Sequence, residues 1–183
     1  MNNAKISLWG LVVKTSIVHT VTYFVMGLLA SNFLGYAERF AQPYMLGWMR
    51  QTSDPIVMAG PLFQPLRGVI FALAFYPLRE TFFGKKNGWL ILWWLLVALG
   101  ILSTFGPTPG SLEGLVYTII PVSDQLVGWL EVIPQALLLS AILVYWVRHP
   151  EQKWLNWIMG IVFTLMLLLP ALGLLVSSQS NLK

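Results

Sequence analysis

Five apolar stretches, most of them long enough to cross a lipid bilayer as a helix, dominate this chain. A helix needs roughly 20 residues to cross the hydrocarbon core. The stretches occupy positions 8–33, 59–78, 89–105, 124–147 and 154–176, of which the third is the shortest. The sequence therefore predicts an all-α fold, in which residues 1–183 form a single transmembrane domain built as a bundle of five membrane-spanning helices.

The composition supports a membrane protein and excludes most soluble ones. Hydrophobic residues make up 57% of the chain and charged residues only 10%, whereas a soluble domain carries about 25% charged residues. The formal charge is +4, but the basic residues fall in short connections and are not interleaved with aromatic side chains. We therefore expect no nucleic-acid partner.

The chain offers little material for catalysis or metal binding. It has no cysteine and only two histidines, which excludes disulfides and thiolate metal sites. The motifs of zinc peptidases, nucleophile-elbow hydrolases, nucleotide-binding loops and dinucleotide-binding folds are absent from the sequence. We therefore predict no catalytic residue, no metal site and no cofactor.

Lysine and arginine predict the orientation in the membrane, because cytoplasmic loops carry an excess of both. With the N-terminus in the cytoplasm, seven basic residues lie inside and three outside: Lys5, Lys14, Arg79, Lys85, Lys86, Arg148 and Lys153 against Arg39, Arg50 and Lys183. Five spans then place the C-terminus outside. This pattern is typical of a multi-pass protein of a bacterial inner (cytoplasmic) membrane.

The basic cluster at the inner edge also predicts a lipid contact. Arg79, Lys85 and Lys86 follow the second apolar stretch closely. Such clusters beside a membrane span bind anionic head groups. We expect the bilayer itself, with anionic lipid at these three residues, to be the main partner.

Both outer connections are long enough to contain short helices. In the first, Pro43 is a suitable first residue for a helix ending at Arg50, which would lie in the head-group layer or cover an outer pocket as a lid. In the second, Ser111 is a suitable N-cap for a helix over 112–120. That helix would be interfacial or re-entrant, since it is too short to span the bilayer.

Six polar residues inside the apolar stretches are the candidate ligand-binding site. Arg67 and Glu131 are charges about 10 to 12 Å from the outer ends of their spans, at a rise of 1.5 Å per residue, and a charge at such depth needs a partner or a function. Helical spacing brings uncharged polar side chains to compatible depths on the same and neighbouring helices. The set, called the polar layer below, is His19, Tyr23, Gln64, Arg67, Glu131 and Gln135.

The polar layer has three interpretations. Arg67 and Glu131 could form a buried ion pair that only fixes helix packing. The same residues could form a ligand or proton site, with Arg67 holding an anionic or carbonyl group and His19 titrating near neutral pH. They could also form a surface that docks a partner subunit.

Three functions follow from these interpretations. The first is a small membrane protein with an outward-facing polar pocket that binds or transports a small polar or amphipathic ligand. The second is a non-catalytic subunit or assembly partner of a larger membrane complex, or of a homo-oligomer. The third is an intramembrane lipid-modifying enzyme, which the absence of a catalytic motif disfavours.

Overall fold

The computed structural model describes residues 6–180, and side chains as far as residue 175. The fold is all-α, and the described residues contain no strand. The α-helices are α1 (Leu8–Phe33), α2 (Tyr36–Phe40), α3 (Pro55–Met58), α4 (Gln64–Phe75), α5 (Gly88–Val97), α6 (Leu112–Tyr117), α7 (Val122–Val127), α8 (Trp129–Arg148) and α9 (Lys153–Ser180).

Three helical stretches are long and apolar enough to cross a membrane: Leu8–Phe33, Val122–Arg148 and Lys153–Leu175. Gly88–Leu102 is a shorter apolar helix, in which α5 continues as a π-helix over Ala98–Leu102. The second predicted span consists of three consecutive segments, a 3₁₀-helix over Gly60–Phe63, α4, and a 3₁₀-helix over Tyr76–Leu78. By length and composition, these helices are compatible with a membrane protein.

Helix α1 is the central element, packing against α4, α8 and α9. It begins where predicted, because the Ser7 hydroxyl accepts a hydrogen bond from the Gly10 amide at 3.1 Å and so caps the first turn. Leu11 and Val18 are buried on α1 and join a core with apolar side chains of α4, α5, α8 and α9. Four polar residues of α1 are buried with them inside the bundle: Thr15, His19, Thr20 and Thr22.

The contact between α1 and α4 depends on a glycine. A Cβ atom added to Gly68 would lie 2.4 Å from the Ser16 Cα, closer than real Cβ atoms approach. Small residues allow such close backbone approach between membrane helices. The Ser16 hydroxyl also donates a 3.0 Å hydrogen bond to the Pro65 carbonyl. The two helices are therefore in close backbone contact and hydrogen-bonded to each other near the polar layer.

The first outer connection differs from its prediction. The helix predicted over Pro43–Arg50 is wrong, because this segment forms turns. Gly47 has a φ of +84°, a left-handed conformation that ends a helix. The helices of this connection are α2 and α3 instead.

The second outer connection follows its prediction more closely. The Ser111 side chain accepts from the Gly114 amide at 2.9 Å, which confirms the predicted N-cap. Helix α6 ends at Tyr117 and does not continue to Ile120, since Thr118 adopts an extended conformation. Gln125 is buried at the base of this connection, and its side chain donates to the Ile120 carbonyl at 2.8 Å.

Candidate functional site

His19 and Gln64 of the polar layer form a buried hydrogen-bonded pair between α1 and α4. His19 is 1% exposed, and its Nε2 lies 3.1 Å from the Gln64 Oε1. The Gln64 amide nitrogen donates to the Gly60 carbonyl at 3.0 Å, which leaves Oε1 as the acceptor. The proton of this pair is therefore on Nε2, while His19 Nδ1 has no hydrogen-bond partner among the described residues.

Aromatic rings surround this histidine. Its ring packs edge-on against Phe71 at 4.9 Å between centroids, and Tyr23 lies 6.3 Å away at a tilted angle. Arg67 uses the same Phe71, with its guanidinium carbon 5.4 Å from the ring centroid. Four of the six predicted site residues thus lie around the contact between α1 and α4: His19, Tyr23, Gln64 and Arg67.

Glu131 is hydrogen-bonded to a tyrosine of the first outer connection and not paired with Arg67. The Tyr36 hydroxyl of α2 donates to the Glu131 Oε2 at 2.5 Å, and the other carboxylate oxygen lies against Gly27 of α1. No carboxylate oxygen of the described residues lies within 4.0 Å of the Arg67 guanidinium. The buried ion pair of the first interpretation is therefore not formed among the described residues, and one carboxylate oxygen of Glu131 accepts from Tyr36 of the outer connection instead.

Gln135 is buried on α8, one turn deeper than Glu131. Arg67, in contrast, is exposed on the surface of the isolated chain. The polar layer is consequently divided into a buried part around His19 and Gln64, a carboxylate part on α8, and an exposed cation.

A cavity of about 500 Å³, called the outer cavity below, lies where the first outer connection meets α7 and α8. Its volume is within the range of about 300–1,000 Å³ typical of small-molecule sites. It is lined by Phe33, Leu34, Gly35, Glu38, Arg39, Gln42, Tyr44, Asp124, Val127 and Leu130. The wall therefore combines charged and amide groups with aliphatic and aromatic ones.

Asp124 organises the polar wall of the outer cavity. Its two carboxylate oxygens accept hydrogen bonds from Arg39 and from the Tyr44 hydroxyl. The hydrogen bond to Asp124 raises the pKa of Tyr44 above its ordinary value, because it stabilises the protonated phenol. Arg39 also donates through Nε to the Leu34 carbonyl at 2.8 Å.

The chain can reverse here because of one glycine. Gly35, between α1 and α2, has a φ of +63°. This left-handed conformation is readily adopted only by residues without a Cβ. The turn directs Tyr36 and Arg39 back toward α8 and α7, respectively.

The outer cavity adjoins the carboxylate part of the polar layer. Gly35 and Leu130 line the cavity, and the residues that follow them, Tyr36 and Glu131, are hydrogen-bonded to each other. Burial raises the pKa of Tyr36, and the bond to Glu131 raises it further. The phenol therefore remains a donor to the carboxylate throughout the physiological pH range.

Tyr36, Arg39, Tyr44 and Asp124 were not among the predicted site residues. One sequence signal could have indicated part of this set: Asp124 and Glu131 are seven residues apart, which places them on one face of a helix two turns apart. The tyrosines and the arginine that engage them lie at least 80 residues earlier in the chain. Contacts between residues so far apart in the chain cannot be predicted from residue spacing in a single sequence.

Comparisons with protein-family models, with curated proteins and with solved structures give no match to this chain.

Proposed function

We propose that this chain is a multi-pass membrane protein that binds or transports a small polar or amphipathic ligand from its outer side. The single observation that carries the proposal is the outer cavity, with its volume of about 500 Å³ and its mixed polar and apolar wall. The proposal includes the predicted five spans, with the N-terminus in the cytoplasm and the C-terminus outside. It also includes location in a bacterial inner membrane.

The charges of the outer cavity favour a ligand with a cationic or hydroxyl group. Two acids and one arginine line it, and Asp124 is already engaged by Arg39 and Tyr44. Glu38 has no ion-pair partner within 4.0 Å among the described residues. We expect Glu38 to accept from the ligand, while Phe33 and Leu130 contact its apolar part.

The polar layer is a second part of the proposal, since none of its six residues lines the outer cavity. Arg67 would hold an anionic or carbonyl group through its N–H donors. Glu131 would take part through the hydrogen bond to Tyr36, and His19 through its pairing with Gln64. Tyr23 and Gln135 complete the set.

Binding of three matched aromatic probes to the purified protein tests the proposal. Phenethylammonium, benzyl alcohol and benzoate share a ring and differ in charge, and calorimetry measures their affinities. We expect phenethylammonium to bind most tightly and benzoate most weakly. Glu38→Gln should weaken phenethylammonium binding about 10-fold, the equivalent of about 1.4 kcal/mol, and should affect benzyl alcohol much less.

Glu113→Gln is the matched control, since Glu113 is an exposed acid of the other outer connection. It should leave the binding of all three probes unchanged. Equal affinities of the wild type and Glu38→Gln for phenethylammonium would contradict the assignment of the outer cavity. Failure of all three probes to bind at millimolar concentration would also contradict this assignment.

A second function, an assembly subunit of a larger membrane complex, is supported by Arg67. Its guanidinium is exposed, contacts Phe71, and has no carboxylate within 4.0 Å among the described residues. A cation inside a membrane span is costly without a partner. An acidic side chain of another membrane subunit, or of a second copy of this chain, would supply one.

Purification in mild detergent distinguishes the two functions. An assembly subunit should elute with a second component, and Arg67→Gln should release that component while the chain stays folded. A ligand-binding protein should elute alone with or without the substitution. Arg50→Gln is the control, because Arg50 already pairs with Asp54 at 2.9 Å outside the helices.

A further inference from the structure

A second cavity, of about 240 Å³, lies at the opposite end of the bundle between α5 and α8. We call it the inner groove. It is lined by Trp89, Ala141, Val144, Tyr145, Arg148 and His149. Its volume is smaller than the roughly 300 Å³ at which small-molecule sites begin, so it fits part of an elongated molecule better than a whole compact one.

Arg148 fixes the chain segment beside this groove. Its guanidinium donates to the carbonyls of Phe83 at 2.9 Å, Lys86 at 3.3 Å and Phe82 at 3.4 Å, and also to the carbonyl of Lys85. These bonds satisfy carbonyls at the end of the π-helix over Glu80–Gly84. They also hold the backbone of both lysines next to a residue that lines the groove.

The lysine side chains remain available for an external anion. Lys85 and Lys86 are exposed, and neither forms an ion pair among the described residues. Arg79 differs, because it donates to the Tyr76 carbonyl at 3.0 Å and lies 3.9 Å from Glu80. The cations beside the groove are therefore Arg148, which lines it, and the two exposed lysines whose backbone Arg148 holds.

His149 adds one more polar group at the rim. Its ring stacks on Tyr145 at 4.2 Å between centroids, and Nδ1 donates to the Tyr145 carbonyl at 2.8 Å. Nε2 has no hydrogen-bond partner among the described residues. Trp89 and Tyr145 are side chains of the type that occupies the boundary between head groups and acyl chains.

We propose that the inner groove binds one anionic phospholipid. The phosphate lies at Lys85 and Lys86, and the glycerol and upper acyl chain lie in the groove against Trp89 and Val144. Charge complementarity at the rim and apolar walls beneath it match the two parts of this molecule. The groove is separate from the outer cavity, so either assignment can fail without the other.

Native mass spectrometry of the purified full chain, titrated with phosphatidylglycerol, tests this site. Phosphatidylcholine with the same acyl chains is the comparison lipid. We expect phosphatidylglycerol to bind the wild type at least 10-fold more tightly than phosphatidylcholine. The double variant with Lys85→Gln and Lys86→Gln should lose most of that preference. Each lysine should account for about a fivefold difference in affinity, since each basic residue at a membrane surface contributes about 1 kcal/mol.

Filling the groove separates a lipid site from simple charge attraction. Ala141→Trp retains every charge but occupies the space, so its phosphatidylglycerol affinity should fall well below that of the wild type. Leu165→Trp, at an exposed position of α9, is the control and should bind like the wild type. If Ala141→Trp does not fold, Ala141→Leu provides a smaller filling, and the lysine substitutions test the rim independently.

Glycerol phosphate, the soluble head group alone, distinguishes the lipid from a free phosphate ester. It should bind at least 100-fold more weakly than phosphatidylglycerol, because it makes no contact with the apolar walls. Three results would overturn the proposal: equal affinity for the two lipids, glycerol phosphate binding as tightly as the lipid, or undiminished lipid affinity in a folded groove-filling variant.

Discussion

At the residue scale, two carboxylates of the region that leads into α8 are each held by a tyrosine of the first outer connection. Tyr36 donates to Glu131 at 2.5 Å, and Tyr44 donates to Asp124. A phenol can donate only while it is protonated. The attachment of this connection to the bundle therefore depends on keeping both tyrosines neutral.

The Tyr36 bond predicts a loss of stability at alkaline pH. Burial and the bond to Glu131 raise the pKa of Tyr36 above its ordinary value of 10.0. The stabilisation is fully present below pH 10 and is lost as the pH rises toward the folded-state pKa, because the unfolded chain releases its proton first. Tyr36→Phe should be less stable than the wild type at pH 8, and this difference should shrink above pH 10.

Tyr117→Phe is the control, because Tyr117 is an exposed tyrosine of α6. Denaturant unfolding in detergent between pH 7 and pH 11 measures both variants. A wild-type advantage over Tyr36→Phe that stays constant above pH 10 would contradict the role of this bond.

The pair of His19 and Gln64 gives a second prediction at the residue scale. Gln64→Leu removes the acceptor of the buried His19 Nε2, and an unsatisfied buried donor costs about 1–3 kcal/mol. We expect a decrease of that size in the free energy of unfolding. Gln42→Leu, at an exposed position, should change it by less than about 0.5 kcal/mol.

At the element scale, the contact between α1 and α4 is set by how closely two backbones approach. Gly68 leaves no room for a Cβ beside Ser16. Ala72, one turn further along α4, is fully buried. The small residues of α4 therefore face the bundle and position Gln64 opposite His19.

Gly68→Ala should separate the two helices. The added methyl group would overpack this contact, which typically costs about 1–3 kcal/mol. Gly160→Ala is the matched control, since a Cβ added to Gly160 of α9 meets no atom within 4 Å. It should be neutral or slightly stabilising, as alanine is a better helix former than glycine by about 1 kcal/mol. Equal effects of the two substitutions on unfolding would contradict the close approach.

The elements could be predicted from the sequence where a local signal defines them. The first apolar stretch, 8–33, matches α1, because a long and mostly apolar run specifies it and the Ser7 side chain caps its first turn. The turns around Gly47 were missed, since a proline at position 43 does not reveal the positive φ of this glycine. The hydrogen bond between Tyr36 and Glu131 was missed as well, because it depends on how α2 folds back over α8.

At the scale of the whole molecule, the polar groups are segregated toward two ends of the bundle. The outer cavity is lined by Glu38, Arg39 and Asp124, and the inner groove is bordered by Lys85, Lys86 and Arg148. An excess of basic residues at one end is the pattern that sets orientation in a membrane. We therefore expect the outer cavity to face away from the cytoplasm.

Labelling of single cysteines with an impermeant thiol reagent in intact cells measures this orientation directly. The chain has no cysteine of its own, and Ser53, Thr108, Gly84 and Lys153 are exposed positions of its four connections. The orientation predicts that Ser53→Cys and Thr108→Cys are labelled in intact cells, whereas Gly84→Cys and Lys153→Cys are labelled only after lysis. The reverse pattern, or labelling of all four in intact cells, would contradict the proposed outward-facing site.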